Sequence, residues 1–231
     1  MKRPAISALL IPAIVLVSSG ILLATAAGPT HKLSRSKALP KGLAPKVAEL
    51  IDPAGYQISG PKGAVCTIWL VKDVPIRGKF KPSLSVKYPF TAGQLVGVLQ
   101  VNGKDGYTDF RGQELKAGVY TLRYGQQPED GNHVGTSDLA DFLLALPAKM
   151  DVDPKPIFGF DELSMRSAKS AGATHPAIFS MLPSEKPIKV ASVTHDDDHD
   201  FWILNVQAAA KTKTKAAKVN LRFIAIGRTP E

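Results

Sequence analysis

Apolar side chains recur at every second position through much of this chain, and that period admits few folds. Leu84, Val86 and Tyr88 alternate with more polar neighbours, and Val119–Tyr124 alternates in the same way. A period of two belongs to extended strands, in which successive side chains point to opposite faces. Further strands are predicted at 64–71, 95–101, 142–146, 188–194, 201–206 and 219–226, each short and rich in apolar or β-branched residues. Asn102-Gly103 directly after Val101 is a tight-turn signal. Helical spacing is confined to two places. Pro45 suits the first position of a short helix that carries Val47, Leu50 and Ile51 on one face. Asp161 is placed to cap a second helix, running through Leu163, Met165 and Ala168 to Gly172. About eight strands with few helices predict a mainly β fold, an antiparallel β-sandwich of jelly-roll or Ig-like kind with one or two short helices.

The N-terminus has a different pattern. Lys2 and Arg3 precede an uncharged run from Ala5 to Ala27, which ends in the small residues Ala24-Thr25-Ala26-Ala27. A positive start, an apolar centre and a small-residue exit are the parts of a secretory signal. The run is also long enough to stay in a bilayer as an uncleaved anchor, which takes about 20 residues. Residues 1–27 are therefore read as a signal helix, cleaved or retained as an anchor. Residues 28–44, rich in Pro, Gly, Ser and Lys, read as a flexible basic linker, and 45–231 as a single β-rich domain. The expected location is the periplasm, the cell surface or the medium.

Lysine and arginine outnumber acids by 29 to 20, a formal charge of +9 that falls to +7 without Lys2 and Arg3. The excess gathers in two tracts: Lys32, Arg35, Lys37, Lys41 and Lys46, then Lys211, Lys213, Lys215 and Lys218. In an exported protein such tracts suit an anionic envelope component or an acidic polysaccharide, or they are simply solvated. Nucleic acid is not expected, because the lysines are not interleaved with aromatics for base stacking. Trp69 and Trp202 lie in apolar strand patterns, which argues against an exposed sugar-stacking platform. The single cysteine, Cys66, sits in the apolar run Ala64–Leu70, so no intramolecular disulfide is available and a buried thiol is expected.

The segment Leu115-Lys116-Ala117-Gly118-Val119-Tyr120-Thr121-Leu122, with Pro128-Glu129-Asp130-Gly131-Asn132-His133 and Asp141-Phe142-Leu143-Leu144, resembles a family of exported bacterial β-sandwich proteins. The resemblance spans residues 93–147. It implies export and a sandwich fold, and it carries no activity.

Two constellations hold residue types capable of chemistry. The first is His195-Asp196-Asp197-Asp198-His199-Asp200. A hairpin with 196–198 as its loop would set His195 opposite His199, where two imidazoles and a carboxylate from Asp196, Asp197 or Asp198, with Asp197 the one assigned, make a candidate divalent-metal site. Three consecutive aspartates are equally what an exposed turn contains. The second is the long loop from Gly125 to Asp138, carrying Glu129, Asp130, Asn132, His133, Ser137 and Asp138. Polar loops on a rigid scaffold are common binding surfaces, and Glu129, Asp130, Asn132, His133 and Asp138 are the candidate binding residues. Ser137, His133 and Asp138 include the residue types of an acyl-transfer triad but lack a nucleophile-elbow pattern. No catalytic residue or resident cofactor is assigned. The expectation is an exported, non-enzymatic binding domain, with a metal-binding protein or metal-dependent enzyme built on His195 and His199 as the alternative.

Overall fold

The computed structural model describes residues 30–103, 106–128 and 139–229. The apolar N-terminal run lies outside them, as do Glu129, Asp130, Asn132, His133, Ser137 and Asp138 of the candidate binding loop. The described chain is mainly β, with two sheets packed face to face as a sandwich. In chain order the elements are β1 (Lys32–Ser36), α1 (Pro45–Ala48), β2 (Gly55–Gly60), β3 (Gly63–Leu70), β4 (Val74–Pro75), β5 (Leu95–Val101), β6 (Tyr107–Thr108) and β7 (Glu114–Leu115). They continue with β8 (Gly118–Gln126), β9 (Asp141–Pro147), α2 (Phe160–Ala171), β10 (Ala177–Ser180), β11 (Ser192–Asp196), β12 (Phe201–Lys211) and β13 (Ala216–Ile226).

The larger sheet has seven strands in the order β1-β2-β3-β5-β8-β9-β10, all antiparallel. The smaller sheet has four strands: β11-β12-β13, with β4 joining β12 in parallel. Alternation decides which side chains meet between the sheets. Ile68, Leu99, Tyr120 and Leu122 point inward from the larger sheet onto Leu204, Val206, Leu221 and Phe223 of the smaller one, in one buried cluster. Cys66 belongs to it and is fully buried, which pushes its thiol up to about 12. Beside it, Tyr107 donates its hydroxyl to Ala225 O at 2.5 Å. At one edge the sheets connect, where Met181 bridges Phe223 just past β10.

Several expectations are corrected. Residues 32–36 are a strand rather than linker: β1 pairs with β2 along its whole length, Leu33 packs on the core, and the Arg35 guanidinium lies 3.9 Å from the Tyr56 ring centroid. No strand forms at 84–88: Leu84 is 92% exposed, while Tyr88 is buried and bonds its hydroxyl to Leu182 O at 2.7 Å. The strand expected at 188–194 begins at Ser192, leaving Val190 78% exposed. Gly159, not Asp161, occupies the cap position of α2, and Met165 is exposed while Ser167 and Ser170 are buried. Gly172 does end that helix in the left-handed conformation, at φ 64°.

The outer face of the larger sheet is covered by α2 and by the irregular segment 148–158. Arg123, on β8, has no exposed surface there. Its Nε and Nη2 donate to Asp151 at 2.6 and 2.9 Å, and Nη2 also donates to Asp153 O at 2.5 Å. Nη1 donates to Gly93 O and Lys155 O, each at 2.8 Å, so all five guanidinium donors are used. Thr121 donates to the same Asp151 carboxylate. Gly93 has φ +76°, and a Cβ there would sit 1.8 Å from Ile157 O, so only glycine permits the segment to lie this close.

Removing one partner of a buried ion pair strands the other charge, at a cost of about 3–5 kcal/mol. Arg123→Ala is therefore expected to lower the urea-unfolding free energy by about that much, whereas Arg166→Ala, which breaks the exposed Arg166–Glu162 pair, costs under ~0.5 kcal/mol. Equal losses in the two variants would contradict the assigned role of Arg123.

Candidate functional site

The hairpin between β11 and β12 carries the histidines singled out as metal ligands. Its register pairs Asp196 with Phe201 and His195 with Trp202. The turn therefore takes residues 197–200 instead of 196–198, and Asp200 adopts φ 55°, a left-handed conformation that aspartate tolerates better than most residues. Lengthening the turn shifts the register, and a shift by an odd number of positions exchanges faces. His195 consequently shares a face with Trp202 and does not oppose His199.

Each imidazole is engaged by carboxylates of its own turn. His195 Nδ1 lies 2.7 Å from Asp197 Oδ1, and Nε2 lies 2.8 Å from Asp200 Oδ1. His199 Nδ1 is 3.1 Å from Asp196 Oδ2, and its ring stacks on Phe201 with centroids 5.2 Å apart. The structure thus brings His195 and Asp197 together and sends His199 to a different carboxylate. A neutral imidazole has one N–H, so bonding carboxylates through both nitrogens favours the imidazolium. The bond to Asp200, then the charge and hydrogen bond of Asp197, raise the His195 pKa above 6.5 against partial desolvation. Both ring nitrogens of His195 already have carboxylate partners, so a metal bound here would have to displace one of them. Among the described residues, no group of three or more His, Cys, Asp or Glu is arranged to hold a metal ion.

Sequence reasoning placed His31 in a linker and passed over it. The structure packs its ring against Trp202, with centroids 4.3 Å apart, while His195 stacks on the same indole at 4.1 Å. Burial lowers the His31 pKa below 6.5; His195 lowers it further and Asp200 opposes. The signal that would have found it is the register of β1 on β2, which sequence alone does not contain.

Gly125–Pro128, the described start of the candidate binding loop, lines a cavity of about 640 Å³ under α2, on the outer face of β8, β9 and β10. Phe110, Phe142, Leu144, Phe160 and Ile178 form its apolar wall. A second cavity of about 360 Å³ adjoins it across Phe160 and Gly125.

The second basic tract is drawn out further by the fold. The backbone N–H of Ile76 donates to Lys211 O at 2.8 Å, and the Cβ that Gly78 lacks would lie 3.4 Å from Thr212 Cγ2. This lays residues 76–78 against the β12–β13 hairpin, whose turn is closed by Thr212 N–H to Lys215 O at 2.9 Å. Arg77, Lys79, Lys211, Lys213 and Lys215 are all exposed on this hairpin and the segment beside it, and the Arg77 guanidinium lies over the Phe80 ring, 4.6 Å from its centroid. Among the described residues, none of these five cations has a carboxylate partner.

No family model matches the chain, and neither the curated proteins nor the solved structures contain a significant match.

The pKa values of the two imidazoles on Trp202 are shifted in opposite directions. His195, raised in the fold, contributes stability that is full below about pH 6.5 and is lost as pH rises through its folded pKa. His31, lowered, contributes stability that is present above about pH 6.5 and is lost as pH falls through its folded pKa. NMR titration is expected to place the His195 midpoint above 6.5 and that of His31 below it, with Asp200→Asn lowering both. A His195 midpoint at or below 6.5 would contradict the double carboxylate contact.

Proposed function

We propose that this chain is an exported, non-enzymatic binding domain that attaches to an anionic surface of the cell envelope. The observation that carries this reading is the set of exposed lysines on the β12–β13 hairpin and the segment beside it, Lys211, Lys213, Lys215 and Lys79, without carboxylate partners among the described residues. The turn, closed by its own backbone hydrogen bond, holds Lys211, Lys213 and Lys215 close together before any partner arrives. Ammonium groups are compact, strongly hydrated point charges, suited to phosphate and carboxylate groups without a fixed stereochemistry. The residue pattern of the first 27 residues supports export, and so does the resemblance over residues 93–147. The chemistry sought in the partner is a dense array of phosphates or carboxylates, as borne by anionic lipid headgroups or acidic polysaccharides.

Near an anionic surface each lysine is worth about 1 kcal/mol. Lys213→Ala/Lys215→Ala is therefore expected to weaken binding by roughly thirtyfold, with no loss of thermal stability. Cosedimentation with phosphatidylglycerol vesicles and retention on immobilised polygalacturonate separate the two sources, and salt at about 0.5 M should release the protein from either. Absence of binding to both at low salt, or binding that the double variant leaves unchanged, would sink the proposal.

A further inference from the structure

We propose that the cavity beneath α2 is a binding site for an amphipathic carboxylate, with the apolar body of the ligand among the phenylalanines and its acid group drawn to Arg111. The volume, about 640 Å³, lies within the ~300–1,000 Å³ typical of small-molecule sites. The wall formed by Phe110, Phe142, Leu144, Phe160 and Ile178 supplies a surface for a hydrocarbon chain. Phe158, just before α2, is 76% exposed, and Phe160 is 38% exposed at the mouth.

The floor stays open because residue 125 has no side chain. A Cβ on Gly125 would sit 2.3 Å from Leu144 Cδ1, so a larger residue here would displace the Leu144 side chain from its place in the cavity wall. Gly125 lies two residues beyond Arg123 and on the same face of β8, so the buried ion pair fixes the strand that forms the floor.

Two polar features specify the ligand beyond its greasiness. Ser164 lines the cavity, and its Oγ is buried without any hydrogen-bond partner. A buried hydroxyl left unbonded is costly, and an acceptor oxygen on a bound molecule would satisfy it. Arg111 also lines the cavity and is exposed, with no carboxylate partner among the described residues. Its backbone N–H is held by Asp109 Oδ1 at 3.0 Å, which sets the turn that carries it. Arg228 packs against the same turn, 3.3 Å from where a Gly112 Cβ would stand, and adds a second cation. An apolar cavity with an unpaired donor inside and a guanidinium at its edge is complementary to a chain that ends in a carboxylate. This site is separate from the basic hairpin surface and does not rest on that reading.

Dodecanoate and dodecanol are suitable probes, titrated calorimetrically into the full chain. Dodecanoate should bind saturably at one site per chain and about tenfold or more tighter than dodecanol, the worth of one charge-assisted contact. Arg111→Ala, on the surface, should remove that preference. Ser164→Ala should melt no lower than the parent protein, since it deletes a hydroxyl that bonds nothing, yet it should weaken dodecanoate several-fold. Binding by the apolar N-terminal run would be the same in all three proteins, so the variants distinguish it. The proposal is overturned if binding is not saturable, if dodecanol binds as well as dodecanoate, or if neither variant changes the affinity.

Discussion

Arg123 lies fully buried on the outer face of the larger sheet, in a place where an unpaired charge would be prohibitively costly. It is tolerated because Asp151 neutralises it and three backbone carbonyls, of Gly93, Asp153 and Lys155, take its remaining donors. The consequence runs outward from the sheet. Residues 151–157 have no regular hydrogen bonding of their own, and the guanidinium holds them against β8. Because α2 starts at Phe160, directly after that segment, its position over β9 follows. Ser167 and Ser170 then secure the helix by donating to Ala145 O at 2.8 and 2.9 Å. The cavity under α2 is the space left between this pinned layer and a strand that carries glycine at position 125.

A second junction between the two sheets is organised around Trp202. Its indole is 5% exposed, but its cover is two imidazoles rather than aliphatic side chains. His195 comes from the neighbouring strand β11 and His31 from the chain just before β1, so the contact ties the N-terminal strand of one sheet to the hairpin of the other. The two rings are pushed toward opposite protonation preferences by different environments. His195 has two carboxylates within hydrogen-bonding distance, while His31 is partly desolvated and faces the charge of His195.

Strands with several strong apolar alternations were legible before folding was considered: β3, β5, β8, β9, β12 and β13 all fall on predicted segments. The strands that escaped were short or polar. β1 reads Lys-Leu-Ser-Arg-Ser and offers one apolar residue, so its identity as a strand depends on β2 lying beside it. β10 has four residues and β4 two, too few to show a period. The error at 84–88 ran the other way: the alternation is present, but no neighbouring strand takes its backbone hydrogen bonds, and Val86 and Ser83 bond within their own turn instead. In the candidate sites, His195 and Asp197 do meet, as residues two apart in one turn can. Their relation to His199 differs from the expectation, because one turn residue decides which face a strand presents.

The sequence by itself determined the class of fold, the burial of Cys66, the end of α2 at Gly172 and the basic tract at 211–218. These follow from local periodicity, polarity and backbone preference, which a few neighbouring residues suffice to express. Only the tertiary structure decided that Arg123 would be buried, that His31 would reach Trp202, that Ile76 and Gly78 would lie against the β12–β13 hairpin, and that Ser164 and Arg111 would line one cavity. Each of these brings together residues far apart in the chain. Their encounter depends on strand order and register, which are settled when the whole sandwich closes over its core.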